Sequence, residues 1–403
     1  MPVADASASS SAATSSRSTM RALVKAKPDV GLTYFAEKPM PVGSSGTSAE
    51  PGPREVLIRV RKAGVCGTDR HIWEWDAWAQ SRIPVGIITG HEFAGVIEKV
   101  GSAVTRVRAG QRCSAEGHIT AFADYNSRTG NAHIARDTKI LGVDRDGCFA
   151  DYLIVPEENV WPLHDNIPDR YGAVMDPLGN AVHTVMSAGV SARSVLITGA
   201  GIIGLMAITV AKAAGAARIY ATDTNPRRLE LARRLGADEA FNPMQDGAPT
   251  GAPAQPKSMI DRERVPADEL PTHQGLPRWI EHIRRETRGD GVDVLLEMSG
   301  AASAIDDGFR ALRMGGTAAL LGIPSRPPNF DLTNHVIFKG ATVLGINGRR
   351  MWETWYQMEN FLLGGRLHLD DIITHELPLE QFPRAFELMQ SGEGIKIVLD
   401  LAR

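Results

Sequence analysis

At 403 residues the chain exceeds one ordinary hydrophobic core, which implies two domains or three. Hydrophobic residues make up 43%, charged residues 23%, and the formal net charge is −3, so nothing points to nucleic acid or a membrane surface as a partner. The longest apolar stretch, around Gly201–Gly215, is interrupted by Lys212 and is too short for a bilayer. Cys66, Cys113 and Cys148 form an odd, sparse set without framework spacing, which argues against disulfides and for a reducing, cytoplasmic location.

The first 19 residues contain seven serines and five alanines without apolar periodicity and read as a disordered tail. They lack the apolar core of a secretory signal, and one Arg with one Asp gives little of the positive charge of a transit peptide. From Met20 to about Leu163 short β-rich runs (RALVKA, EVLIRVRKAGV, EFAGVIEKVG, DYLIVP) alternate with turn residues, the pattern of a compact, mostly β domain. Gly43–Gly52 reads as an enlarged hairpin loop.

Within this domain the stretch Cys66–Glu92, CGTDRHIWEWDAWAQSRIPVGIITGHE, gathers a thiol, two imidazoles, a hydroxyl and carboxylates. Cysteine, histidine and carboxylate are zinc's preferred ligands, and a catalytic site uses three of them and leaves one position open. Cys66 with His91 and Glu92 is therefore a candidate metal set. The residues alone equally allow Cys66 as a packed thiol and His91-Glu92 as a polar strand end.

Val174–Ala188 reads as a helix leading into a second domain, and the following residues run β-α-β-α-β. The strand Ser194–Thr198 is wholly apolar apart from its ends, as in a parallel sheet covered on both faces. Gly199, Gly201 and Gly204 form G-x-G-x-x-G between that strand and a helix. Glycines there permit a tight turn and close approach of a pyrophosphate to the helix N-terminus. Asp223 lies 19 residues beyond Gly204, after the second strand, where a carboxylate accepts from the adenosine ribose 2′-hydroxyl and repels a 2′-phosphate. NAD is favoured over NADP, although Arg227 and Arg228 nearby could stack on adenine or meet a phosphate. Pro243–Pro277, with seven prolines, reads as an inserted surface loop. The α/β pattern then resumes through VDVLLEMSG and TAALLGIP, whose carboxyl ends, Ser299-Gly300 and Leu321-Gly322-Ile323, should border a nicotinamide. The fold class is α/β: a mostly β domain over residues 20–186, completed by 326–403, and a doubly wound parallel-sheet domain over 187–325.

The segments CGTDRHIWEWDAWAQ, GHEFAGVIEKVG, AEGHIT, MDPLGNAVHT, VLITGAGIIGLMA, EMSGA, IFKGATVLGINGR and WETWY together resemble the zinc-dependent medium-chain alcohol dehydrogenase family, and within it the L-threonine 3-dehydrogenases. The resemblance runs from Met20 to the C-terminus apart from the two enlargements. It implies a GroES-like catalytic domain beside a Rossmann domain, and oxidation of a secondary alcohol, L-threonine to 2-amino-3-oxobutanoate, with hydride passed to NAD. It further implies a catalytic zinc on Cys66 and His91 with Glu92 as an exchanging ligand. Asp176 would be the acidic residue at metal and substrate, with Thr68 and His71 as a proton relay. Ile203, Asp223, Arg228, Leu321–Ile323, Ile346 and Asn347 would contact NAD, and His118 would lie near the substrate's amino-acid group. Plainer roles are an N-cap for Thr68 or Asp176, a surface position for His71, a support for the metal ligands in Glu92's case, and a structural hydrogen bond for His118.

Zinc-containing members carry a second, structural zinc on four cysteines. Here the matching positions are Ala121, Asp124, Ser127 and Ala135, so one zinc per chain is expected and the structural one absent. The resemblance also implies a homo-oligomer, a tetramer, and a small amino-alcohol substrate. The alternatives are a dehydrogenase of another polyol, sugar or amino alcohol, a zinc-free quinone or enone reductase, and a noncatalytic dinucleotide-binding protein. The joint presence of Cys66, His91 and Glu92 weighs against the last two.

Overall fold

The computed structural model describes residues 18–246 and 275–402. Most of the expected tail and the central part of the proline-rich insert fall outside the described residues; Thr19 already opens a strand.

The amino-terminal half builds a seven-stranded sheet. Its order is Ile373–Pro378, Lys396–Asp400, Glu55–Val65, Glu92–Val100, Arg112–Ala115 and Val160–Pro162, with Tyr152–Pro156 also on Glu55–Val65. All pairings are antiparallel except that of the first two, which come from the far end of the chain. Ile58, Val60, Val65, Phe93, Ile97, Phe149, Leu153, Phe386, Ile397 and Leu399 interlock as its core, so the carboxyl-terminal strand is part of this domain's interior. Gly43–Gly52 does not link two paired strands, although Val42 and Ser48 form an isolated antiparallel bridge at its start. It joins Thr33–Pro39, which pairs only with Thr19–Val24, to Glu55–Val65 in the large sheet. Glu55 organises this link by accepting from the backbone of Ser44 and Gly52, each at 2.8 Å.

The second sheet has six parallel strands in the order Glu239–Phe241, Arg218–Thr222, Ser194–Thr198, Val292–Glu297, Leu312–Leu320, Thr342–Gly345. Numbered along the chain this is 3-2-1-4-5-6, the doubly wound order. The two-residue alternation of side chains explains why its central strands are apolar throughout. Val195, Ile197, Val294 and Leu296 enter the core shared with the helices Met175–Ala188, Ile202–Ala213 and Pro226–Leu235. Leu196 and Leu295 point the other way, onto Trp279, Ile280 and Ile283 of the helix Arg278–Glu286 and Ile305 and Phe309 of Ala302–Ala311. Truncating either leucine to alanine would cost about 2–5 kcal/mol.

The chain leaves the parallel sheet later than expected. The expected boundary at 325/326 falls within the proline-rich run IPSRPPNF. That run is instead part of the crossover to the sixth strand, Thr342–Gly345, which pairs in parallel with Leu312–Leu320. Only after it does the chain pass through the helix Glu353–Leu363 to the first sheet.

Candidate metal centre and dinucleotide cleft

Antiparallel pairing of Gly64 with Glu92 brings the end of one strand beside the start of the next. Cys66, at the entry of the helix Gly67–Glu74, thereby meets His91 and Glu92, and ligand atoms of the three lie within 4.8 Å of one another. His91 and Glu92 are buried and Cys66 is partly exposed, which leaves one open side. Gly64 makes room for the cluster: a Cβ there would stand 2.2 Å from Glu92 Oε2. That oxygen is ion-paired to the buried Lys396 ammonium, which also donates to the Val65 carbonyl at 2.8 Å.

The donor set fits zinc. His91 Nδ1 and Glu92 Oε1 are buried without a hydrogen-bond partner. Burial opposes charge on His91, but Cys66 and Asp69 outweigh it and raise the imidazole to about 10. The cluster is thus short of positive charge, which is what a divalent cation supplies. Asp69 was not singled out from sequence. Its Oδ2 accepts from the Cys66 backbone at 3.0 Å and its Oδ1 lies 3.9 Å from His91 Nδ1. Burial raises its carboxyl to about 6, partly offset by His91.

Thr68 lies in the first turn of the helix, behind the N-cap at Cys66, so the plainer role of N-cap does not apply to it. His71 is on the exposed face. Its Nδ1 donates to Asp76 Oδ2 at 2.6 Å, and its ring meets Trp78 edge-on at 6.0 Å. Asp76 at the same time caps the helix Ala77–Arg82 through the Ala79 amide, 2.9 Å.

Asp176 opens the helix Met175–Ala188 and faces Arg349, whose Nη1 lies 2.5 Å from its Oδ2. Arg349 is itself buried and grips Glu116 with Nε, at 2.8 Å, and Nη2. Glu116 also accepts from Trp355 Nε1, 2.8 Å, and from the backbone amide and Nδ1 of His118, 2.9 and 2.8 Å. Burial alone would raise the Glu116 carboxyl, but Arg349, His118 and Trp355 hold it down at about 2. His183 Nδ1 donates to the Gly348 carbonyl at 2.9 Å, and His133 meets the His183 ring at 5.4 Å. Neither Glu116 nor Arg349 stood out in the sequence; a charged residue beside a glycine in EGH and NGR was the only local sign.

In the lobe that contains Ala121, Asp124, Ser127 and Ala135, two carboxylates make the ties. Asp124 caps the short helix Tyr125–Arg128, accepting from Ser127 N (2.8 Å) and Oγ (2.6 Å), and reaches on to Arg136 N at 2.9 Å. Asp137 accepts from Thr120 Oγ1 and Ala121 N at 2.6 and 2.9 Å. Ala121, Asp124, Ser127 and Ala135 offer no thiolate, so these residues do not fit a structural zinc.

The dinucleotide elements gather at the carboxyl edge of the parallel sheet. Gly199 adopts φ +89°, and a Cβ there would fall 2.8 Å from Ser299. A Cβ on Gly204 would strike the Gly199 carbonyl at 1.9 Å, whereas Gly201 faces open space at the N-cap of Ile202–Ala213, with Ile203 in the first turn. Asp223 follows the second strand. Its Oδ2 accepts from Ala200 N, 2.9 Å, its Oδ1 from Asn225 N, 2.8 Å, and Arg228 Nη1 stands 3.8 Å away. Leu321 and Gly322 hang from the Glu297 carbonyl, Ile323 is 89% exposed, and Ile346 N donates to the Leu320 carbonyl with Asn347 beyond it. The buried Glu297 side chain, missed in the sequence, supports the floor by accepting from Ser299 N and Gly300 N at 2.9 and 3.0 Å.

Two family models match: an alcohol dehydrogenase GroES-like domain over residues 52–165 and a zinc-binding dehydrogenase domain over 203–364. An L-threonine 3-dehydrogenase of Rhizobium johnstonii is 44% identical over 94% of this chain and 98% of its own length. One from Symbiobacterium thermophilum is 43% identical over 94% and 97%. Among solved structures, the alcohol dehydrogenase TADH of Thermus sp. ATN1 superposes with a TM-score of 0.77 at 27% identity, covering 94% of this chain and 99% of that one. With the metal set, the doubly wound cleft and full-length relatives in agreement, the chain belongs to the zinc-dependent medium-chain alcohol dehydrogenase family, alongside the L-threonine 3-dehydrogenases.

Proposed function

We propose that the protein oxidises the secondary alcohol of L-threonine to 2-amino-3-oxobutanoate and passes hydride to NAD. The observation that carries this reading is the convergence of the Cys66, His91 and Glu92 ligand atoms within 4.8 Å, in a chain 44% identical to an L-threonine 3-dehydrogenase over nearly its full length. Cys66, His91 and Glu92 would hold one zinc, a Lewis acid toward the substrate hydroxyl, while NAD in the cleft supplies the hydride acceptor.

Each remaining task falls to a residue of the chain. Asp176 adds a carboxylate, directed by Arg349. Thr68 and His71 form the proton exit: His71 commits Nδ1 to Asp76, which leaves Nε2 to take a proton outward. Asp223 favours NAD, because its fixed carboxylate would repel a 2′-phosphate. Gly199, Gly201, Ile203, Gly204, Arg228, Leu321, Gly322, Ile323, Ile346 and Asn347 line the cofactor's path along the sheet edge.

A single zinc per chain follows from the alanines and polar residues in the lobe. A homo-oligomer, a tetramer by resemblance, is supported by the open edge strand Thr342–Gly345, where Val343 is exposed, and by the exposure of Ile337 and Phe338 shortly before it in the chain. No helix among the described residues is long and apolar enough to cross a membrane, and the sparse cysteines are compatible with the cytoplasm.

The test is to strip metal with a chelator, then follow NAD reduction with L-threonine before and after one equivalent of zinc. Activity lost on stripping and restored by zinc is expected; full activity in verified metal-free protein would overturn the reading.

A further inference from the structure

Between the two domains lies a hollow of about 600 Å³, walled by residues 224–227 on one side and 391–393 on the other. The first wall continues directly from Asp223. Asn225 N donates to Asp223 Oδ1 at 2.8 Å, and Asn225 Oδ1 caps the helix Pro226–Leu235 through Arg227 N at 2.9 Å. The second wall is the turn that follows the helix Phe382–Ser391 and precedes the strand Lys396–Asp400 of the first sheet. Gly392 makes that turn at φ +72°, and a Cβ on it would stand 3.5 Å from Asn225 Nδ2. The first domain is therefore seated against the ribose end of the second.

The charges around the hollow oppose one another. An arginine close to the ribose-binding acid is what accommodates a 2′-phosphate, and the exposed Arg227 meets that description. Glu393 stands on the opposite wall. Its ion pair with Arg384 Nη2 is long, 3.8 Å, and Arg384 Nη1 lies closer to Glu387 Oε2, at 3.2 Å. One guanidinium thus serves two carboxylates, so negative charge is left over at this wall.

We propose that Glu393 is a second determinant of cofactor choice: its carboxylate, supplied by the other domain, opposes a 2′-phosphate in the hollow and offsets the attraction of Arg227. This rests on the NAD reading above. The two acids act differently. Asp223 can accept from a ribose 2′-hydroxyl, so it favours NAD as well as opposing NADP. Glu393 acts on the phosphate alone, through space, and an interaction between exposed charges is screened by salt.

The test uses full-length, zinc-loaded protein and calorimetric titration with NAD and with NADP. Glu393→Gln should raise the ratio of NADP to NAD affinity by about threefold at low salt, and Glu393→Lys by about tenfold. Raising the salt from about 0.02 M to about 0.5 M should shrink both gains. Added to Asp223→Ser, Glu393→Gln should lift the ratio beyond that of Asp223→Ser alone. A ratio unchanged in both Glu393 variants would overturn the proposal, because the phosphate would then not meet this wall. A gain of the same size at high salt would overturn it too, since altered shape rather than charge would be the cause. If the unmodified protein prefers NADP, it is the NAD reading that fails; the shift in ratio on changing Glu393 would still be measurable.

Discussion

Lys396 and Glu92 form an ion pair with both side chains fully buried, one from the last strand of the chain and the other from the candidate metal cluster. Burial works against charge on Lys396, but Glu92, and with it Cys66, more than compensates and raises the ammonium above its ordinary value. Removing one member of such a pair strands the other without compensation. Lys396→Met should therefore destabilise metal-free protein by about 3 kcal/mol in urea titration. Zinc should restore part of the loss, since a cation bound only by the folded state stabilises it. A variant with an unchanged urea midpoint would show that Glu92 is neutral or has found another partner.

Cys66→Ser replaces the thiolate by a poor zinc ligand without touching the cleft. Elemental analysis should show zinc lost, while NAD binding, followed by its quenching of tryptophan fluorescence, stays within about twofold of the parent. Zinc retained at one equivalent would remove Cys66 from the ligand set.

Asp223→Ser should reverse the cofactor preference. The carboxylate that would repel a 2′-phosphate is removed, while Arg227 and Arg228 remain to meet it. The ratio of NADP to NAD affinity should rise by about tenfold or more, equivalent to about 1.4 kcal/mol, in paired titrations. An unchanged ratio would mean that discrimination lies elsewhere.

The lobe around Asp124 should behave as a carboxylate-fastened structure. Hydrogen bonds from Ser127, then from Arg136, hold the Asp124 carboxyl down at about 2. A carboxyl depressed on folding stabilises fully above its unfolded value of about 3.9, and the contribution disappears as pH falls through the folded value. Protection of the Ser127 and Arg136 amides from hydrogen exchange should therefore be constant from pH 5 to 8 and unaffected by chelators, and should weaken in Asp124→Ala. Loss of protection on adding a chelator would reveal a metal in the lobe.

The parallel sheet was legible because its signals are local. The apolar run at Ser194–Thr198, three glycines at fixed spacing and Asp223 after the next strand all lie within one short stretch. The candidate zinc ligands were visible as residue types, and the pairing of Gly64 with Glu92 is what joins them. The ion pairs behind the site were not legible. Glu116 and Arg349 are separated by 233 positions, and Lys396 reaches a carbonyl 331 positions away, so no periodicity or motif links them. The exit from the parallel sheet was misplaced for a related reason. Thr342–Gly345 is an edge strand with three of its four residues exposed, and its local sequence, ATVLGI, marks a strand without saying which of the two sheets it joins.

The most direct measurement is kcat/KM for NAD reduction by the zinc-loaded protein with L-threonine, D-threonine, sorbitol, 2,3-butanediol and glucose under identical conditions. L-threonine should exceed every other substrate by at least about tenfold, because only it presents both the alcohol and a correctly placed ammonium group. Equal or greater efficiency with sorbitol or 2,3-butanediol would contradict the assignment to threonine.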